Sequence, residues 1–119
     1  MDAAELELQE GITRAFILAD AEDIALQRRT KVADGAGGFT FIYTAIAEQT
    51  FRLLPQSDRV PEIADSNGRL AMPEWVLLGE TGCDMQRYDR FTWRGFQWEI
   101  VQVHQKPDYE TKGDVVRVG

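Results

Sequence analysis

Through residues 1–23, apolar side chains return at the period of an α-helix. Leu8, Ile12, Ala15, Phe16 and Ala19 fall on one face at about 3.6 residues per turn. Asp2 stands where a first-turn amide needs an acceptor, and Glu5 follows three residues later as in a capping box. Acids crowd the early turns, where the helix dipole is positive. Gly11 costs such a helix roughly 1 kcal/mol against alanine. Residues 1–23 therefore predict an amphipathic helical appendage that needs a surface, this chain's own body or a neighbouring subunit. Leu8, Ile12 and Phe16 are its candidate assembly face.

From Ile24 the period shortens to two. Residues 24–32 alternate, and Asp34-Gly35-Ala36-Gly37-Gly38 is dense in residues that tolerate a chain reversal. Phe39, Phe41 and Tyr43 then alternate with Thr40, Ile42 and Thr44, a strand whose aromatic side is the candidate core face. A further strand covers 47–54 and stops at Pro55. Residues 56–67 are polar, carry Pro61 and lack a period, which reads as a long loop of the kind that usually serves function. Residues 69–78 read as a strand interrupted at Pro73, which removes one ladder donor.

After a turn at 80–84, Phe91 and Trp93 alternate with polar neighbours, and Gly95 marks a tight reversal. Trp98 and Ile100 continue one phase while Val101 and Val103 fall on the other. A β-bulge near Ile100 reconciles the phases, as does a strand buried on both sides. Residues 108–113 read as a polar loop and 114–118 as a last strand. The expected fold is mainly β: a small antiparallel barrel or sandwich of about six strands over residues 24–119, preceded by the helix. Phe39, Phe41, Tyr43, Phe91, Trp93, Trp98 and Ile100 are the expected core.

Composition narrows the function. The 119 residues suit one domain, and 44% hydrophobic with 10% aromatic residues supply a core. Twenty acids against thirteen bases give a net charge of -7, which disfavours a broad nucleic-acid grip. Residues 1–23 hold seven acids against Arg14 alone, so the excess is concentrated in the appendage. No apolar run approaches the ~18–20 residues of a membrane span, and no secretory leader is visible. With one cysteine, Cys83, no internal disulfide forms, and a chain made in the cytoplasm is expected.

The chemistry-bearing residues are sparse. His104 is the single histidine, and with Cys83 alone beside it no metal-ligand spacing exists. The plain reading of His104 is a strand-end ring that is solvated or hydrogen-bonded, and a Cys83–His104 hydrolase is the weakest alternative. Gly35, Gly37 and Gly38 lack the Lys-Ser/Thr of a phosphate loop. Loop carboxylates such as Asp58, Glu62, Asp108 and Glu110 have no apolar flank to raise their pKa. One further constellation stands out: Arg28, Arg29 and Lys31 face Phe39, Phe41 and Tyr43 across the first hairpin. Bases interleaved with aromatics hold single-stranded nucleic acid in some barrels. No cofactor and no catalytic residue is expected.

Three stretches carry a resemblance. Leu26-Gln27-Arg28-Arg29-Thr30 with Asp34-Gly35-Ala36-Gly37-Gly38-Phe39 is similar to the opening hairpin of small head–tail connector proteins of tailed bacteriophages. Tyr88-Asp89-Arg90-Phe91-Thr92-Trp93-Arg94-Gly95-Phe96, continuing to Val103, is similar to their recurring turn–strand–turn–strand pattern. His104-Gln105-Lys106-Pro107-Asp108, then Lys112 to Val115 and Arg117-Val118, resembles the close of the head-to-tail stopper (head completion) group. Residues 24–118 are covered loosely, 55–78 least, while the helix and residues 48–54 fall outside it. The resemblance implies a structural protein of the virion's head–tail junction, made in the host cytoplasm. It implies a homo-oligomeric ring below a portal or adaptor ring, which helps retain packaged double-stranded DNA without sequence-specific contacts and offers a docking surface to tail proteins. Asp58, Arg59, Glu62 and Asp65 are then candidates for a channel or inter-ring loop. An adaptor or tail-completion role, and a single-stranded nucleic-acid-binding barrel, are the alternatives.

Overall fold

The computed structural model describes residues 2–57, 60–105 and 108–119. Helix α1 (Ala3–Leu18) leads into β1 (Glu22–Ile24), β2 (Gln27–Ala33), β3 (Phe39–Ala45) and β4 (Gln49–Pro55). A short ribbon of β5 (Ile63–Ala64) and β6 (Leu70–Ala71) follows, then β7 (Trp75–Glu80), β8 (Arg90–Trp93), β9 (Phe96–His104) and β10 (Glu110–Arg117). Eight strands form one antiparallel sheet in the order β1-β4-β7-β10-β9-β8-β2-β3. The fold is mainly β, 48% strand and 14% helix, and the sheet curls strongly into a half-barrel. The strands beyond the expected count are β1 and β5, each too short to display an alternating pattern, and β6, which the interruption at Pro73 separates from β7 within the stretch read as one strand.

The concave side holds the core. Leu26, Phe51, Leu77, Phe91, Ile100 and Val115 are fully buried there, with Trp93 and Trp98 beside them. Trp75 meets Trp93 edge-on with ring centroids 4.9 Å apart, and Trp98 Nε1 donates to the Trp93 carbonyl at 3.0 Å. These polar handles let large rings be buried without an orphaned donor. The strands on this side approach each other closely at two glycines. A Cβ at Gly79 would sit 2.6 Å from Cys83 Sγ and 3.0 Å from Phe51 Cε1. One at Gly113 would sit 2.8 Å from Met85 Sδ. Residues 108–113, expected as loop, thus include the first half of β10: the glycine there makes room for the core and does not turn the chain.

Strand β9 contains the bulge. Its register with β10 shifts between Asp114 and Val115, so that Val101 is passed over while Gln102 and Ile100 pair. Glu99, Ile100 and Val101 are all buried, so the strand is also covered on both faces. The outer cover comes from the segment read as a loop. Asp65 Oδ1 accepts from the amides of Asn67 and Arg69, each at 2.9 Å, and this turn folds β5 back on β6. Asp65 is therefore a buried turn organiser, contrary to its expected place in a channel loop; Glu62 is exposed. Asp58 and Arg59 lie outside the described residues.

Helix α1 lies on the outer side of β4 and β7. Asp2 caps it, Oδ1 accepting from the Glu5 amide at 2.8 Å. The helix carries apolar residues around most of its circumference, and Thr13 and Ile17 face the sheet. Leu8, Ile12 and Phe16 point elsewhere and remain exposed. Arg14 reaches Glu80 at 2.6 Å, and Arg52 donates to the Phe16 carbonyl at 2.9 Å.

Trp98→Ala removes a buried ring and its hydrogen bond. It is expected to cost about 3–5 kcal/mol of unfolding free energy in urea titration; an unchanged midpoint would contradict this placement of the core.

Candidate functional site

Strands β2 and β3 pair along their whole length, from Gln27 with Ala45 to Ala33 with Phe39. The sheet follows them only at their base, where Gln27 pairs with Arg90 of β8. Beyond that point the hairpin is an arm with no second layer behind either face. Phe39 is 64% exposed and Phe41 46%, while Tyr43 is half-buried. Their expected core placement is corrected: strict alternation identifies a strand but not whether anything covers the aromatic side. Ile42, on the opposite face, is exposed as well.

What stacks on the rings is the chain's own positive charge, Arg29 and Lys31 from the arm and Arg90 from β8. Register puts Arg29 and Lys31 on the aromatic face, opposite Tyr43 and Phe41. The Arg29 guanidinium lies 4.2 Å from the Phe41 centroid and 4.3 Å from that of Tyr88. Lys31 Nζ lies 4.1 Å from the Phe39 centroid, and Arg90 covers Tyr43 at 4.6 Å. Each such pair contributes ~0.5–1 kcal/mol at an exposed site. The basic–aromatic constellation read from the sequence is thus brought together. Tyr88 was not singled out as part of it; its ring is delivered by a left-handed backbone, φ 74°, a conformation rare in non-glycine residues and invisible in a residue pattern.

The base of the arm is clamped by a buried carboxylate. Asp89 accepts from Arg28 through both oxygens, Nε at 3.2 Å and Nη2 at 2.8 Å, and from the Gln86 amide at 2.8 Å. Arg28 Nη1 also reaches Asp84 at 2.8 Å. The Asp89 hydrogen bonds, and then Asp84, raise the guanidinium pKa further above its usual value. Arg28 is therefore committed to the fold, and Arg29 and Lys31 are the cations that the arm displays. At the tip, Asp34 Oδ1 accepts from the amides of Ala36 and Gly38 at 2.8 and 3.1 Å.

On the outer side of β9, Glu99 is fully buried yet completely partnered. Arg90 Nε donates to it at 2.8 Å, and Ser66 donates through both its amide and its hydroxyl at 2.6 Å. Arg90 Nη2 in turn donates to Ser66 Oγ at 3.1 Å. This charged network pins the β5–β6 ribbon to the sheet, and losing one partner strands the others away from water.

A groove of about 400 Å³ opens on the same outer side, lined by Leu54, Gln56, Val60, Val76, His104 and Asp114 among others. His104 Nε2 lies 2.8 Å from Asp114 Oδ2, and Gln56 donates to Asp114 Oδ1 at 2.9 Å. Cys83 is nowhere in this arrangement. It packs against Gly79, whose register partner is Thr111, on the concave side. His104 pairs with Lys112, the next residue along β10, and so faces the other way. The sheet stands between thiol and imidazole, which removes the Cys83–His104 pairing. Burial pushes the Cys83 thiol pKa up, and Asp84 and Glu80 push in the same direction. Among the described residues, no group of three His, Cys, Asp or Glu side chains gathers as a metal site requires.

Two outcomes follow from these environments. Glu99→Ala leaves Arg90 and Ser66 without their shared acceptor and is expected to lower stability by about 3–5 kcal/mol in urea titration; a loss under ~1 kcal/mol would mean that the ribbon is not held this way. Because its pKa is raised, Cys83 holds less thiolate at pH 8 than a free thiol. It should react more slowly with a thiolate-specific reagent than glutathione does, and reach the free-thiol rate in denaturant. A native rate equal to glutathione's would contradict the buried placement.

Compared with known proteins, the sequence matches no protein-family model and no curated protein.

Proposed function

We propose that this chain is a structural assembly component, a head-to-tail stopper of a tailed-phage connector, which acts through surfaces that meet other subunits. The observation that carries this reading is where the exposed apolar side chains collect. The core is complete, yet Leu8, Ile12, Phe16 and Leu18 on α1 and Phe39, Phe41 and Ile42 on the β2–β3 arm remain exposed, against Leu70, Met72 and Phe96 elsewhere. Apolar surface concentrated in this way usually marks an interaction site. The stopper role itself rests on the resemblance of the hairpin, of residues 88–103 and of the closing segment to that group. In that role, copies form a ring by head-to-tail contacts below a portal or adaptor, and the ring meets tail proteins and passing DNA. With its negative excess concentrated in residues 1–23, the rest of the chain carries no basic surplus, which suits such a channel, since a basic lining would retain passing phosphate.

A second reading has one specific observation in its favour. The arm's aromatics are exposed and interleaved with Arg29 and Lys31, as on a platform for single-stranded nucleic acid. Against it, the rings are already stacked by the chain's own cations, and the whole molecule is acidic.

The test is assembly. Ile12→Asp, at an exposed position, is expected to leave the melting temperature within a few degrees of the parent and to lower the yield of joined, infectious particles. Unchanged yield, or particles formed normally without this protein, would contradict the proposal. Salt-dependent binding of a labelled oligonucleotide would support the second reading instead; no binding at low salt is expected.

A further inference from the structure

We infer that the basic–aromatic face of the β2–β3 arm docks on the outer stripe of α1 of a second copy of this chain. The inference deepens the assembly reading and rests on it. Within the chain each surface is covered only by cations: Arg29, Lys31 and Arg90 lie over the rings of the arm and Arg52 lies 4.0 Å from the Phe16 centroid, while Leu8, Ile12, Phe16, Phe39 and Phe41 all stay exposed. In the sheet they are set apart: the arm is the β2–β3 edge, the helix covers β4 and β7, and β10, β9 and β8 intervene. A contact between such different patches is heterologous, so each copy keeps one arm and one helix free for further neighbours. It therefore closes a ring or propagates a filament.

Three features make the second copy's helix the occupant. Charge is the first. With Arg28 held by Asp89 and Asp84, and Asp34 by its own turn, the arm offers Arg29 and Lys31. Residues 1–23 carry seven acids, and their one base, Arg14, is bound to Glu80. Glu5 falls on the same helical face as Leu8, Ile12 and Phe16. Chemistry is the second: each surface is a row of apolar groups, with Arg29 and Lys31 among the rings of the arm and Glu5 in line with the helix stripe, whose Phe16 end also carries Arg52. Length is the third. From Leu8 to Phe16 the helix rises ~12 Å, and from Phe39 to Tyr43 the strand runs ~13 Å. Three apolar positions on one side thus meet three rings on the other. A strip of this size is well below the ~800 Å² per partner of a stable pair, so a single contact is weak and gains strength from ring closure.

The test is disulfide trapping between two separately made proteins, Ile12→Cys and Phe41→Cys, with the unsubstituted protein as the Cys83 control. Both positions are exposed, and thermal melting verifies that each variant is folded. Mixed under mild oxidation, they are expected to give Ile12→Cys–Phe41→Cys heterodimers faster than either homodimer. High salt should slow the trapping. Adding Arg29→Glu and Lys31→Glu to the arm copy should abolish it, and adding Glu5→Lys to the helix copy should restore it in part. Predominant helix–helix or arm–arm homodimers would overturn the inference, as would equal rates for all pairs or no trapping. Sedimentation of the unsubstituted protein separates the two levels of failure. Self-association without the mixed crosslink overturns only the arm–helix contact. Strict monomer that binds oligonucleotide through the arm overturns the assembly reading as well.

Discussion

A hairpin that leaves its sheet takes its side chains away from the only layer that can bury them. In this protein β2 and β3 do so immediately after Gln27 pairs with Arg90. Past the contacts that the body makes at the base, Asp89 and Asp84 with Arg28, Tyr88 with Arg29 and Arg90 with Tyr43, the arm is stabilised by the hairpin's own ladder and by contacts within one face. Cations resting on Phe39 and Phe41 supply such contacts without removing the rings from water. The consequence is an extended, amphipathic projection on a molecule whose longest dimension, 55 Å, is about twice the other two, 28 and 27 Å. An arm of this kind is held at its base and free along its length. The bidentate Arg28–Asp89 pair holds that base from a carboxylate that is itself buried, where a charged hydrogen bond is strong.

The half-barrel solves a related problem on its outer side. A sheet of this curvature has a well-filled concave face and an exposed convex one, and two local elements share the task of covering it. Helix α1 takes β4 and β7; the β5–β6 ribbon takes the Glu99 end of β9. Between them lies the groove at His104 and Asp114. Glu99 is paired with Arg90 and Ser66, and Asp114 with His104 and Gln56, whereas Arg52 Nε against α1 is buried without a partner. The satisfied network fixes where the ribbon sits, whereas an apolar patch of equal size would tolerate sliding.

How far the sequence spoke depended on whether a signal was local. The helix start at Asp2, the reversal at Gly95 and the strand over 39–44 are written in neighbouring residues, and each is found within a residue of where the pattern placed it. The conflict of phase between Ile100 and Val101 likewise pointed to a bulge or to a strand covered on both faces, and the strand has both features. Which face of a strand is covered is not local. Phe39 and Phe41 alternate just as Phe91 and Trp93 do, yet only the latter meet a second layer. Gly113 fell at the end of a stretch read as a polar loop because glycine serves both loops and close approaches, and only the position of Met85 distinguishes them. Asp65 looked like a loop carboxylate because its ligands are backbone amides, which no side-chain pattern records. At the candidate site, the basic and aromatic residues were legible as a set, while Tyr88 and the commitment of Arg28 to Asp89 depended on tertiary geometry.

Hydrogen–deuterium exchange, compared between the isolated chain and the assembled particle or ring, addresses the shaped-surface account most directly. If the chain works by offering its arm and helix to neighbours, protection should rise on assembly across 39–45 and along α1, with the β7, β9 and β10 amides already slow in both states. Unchanged exchange in those two regions, with new protection confined to the His104–Asp114 groove, would contradict it.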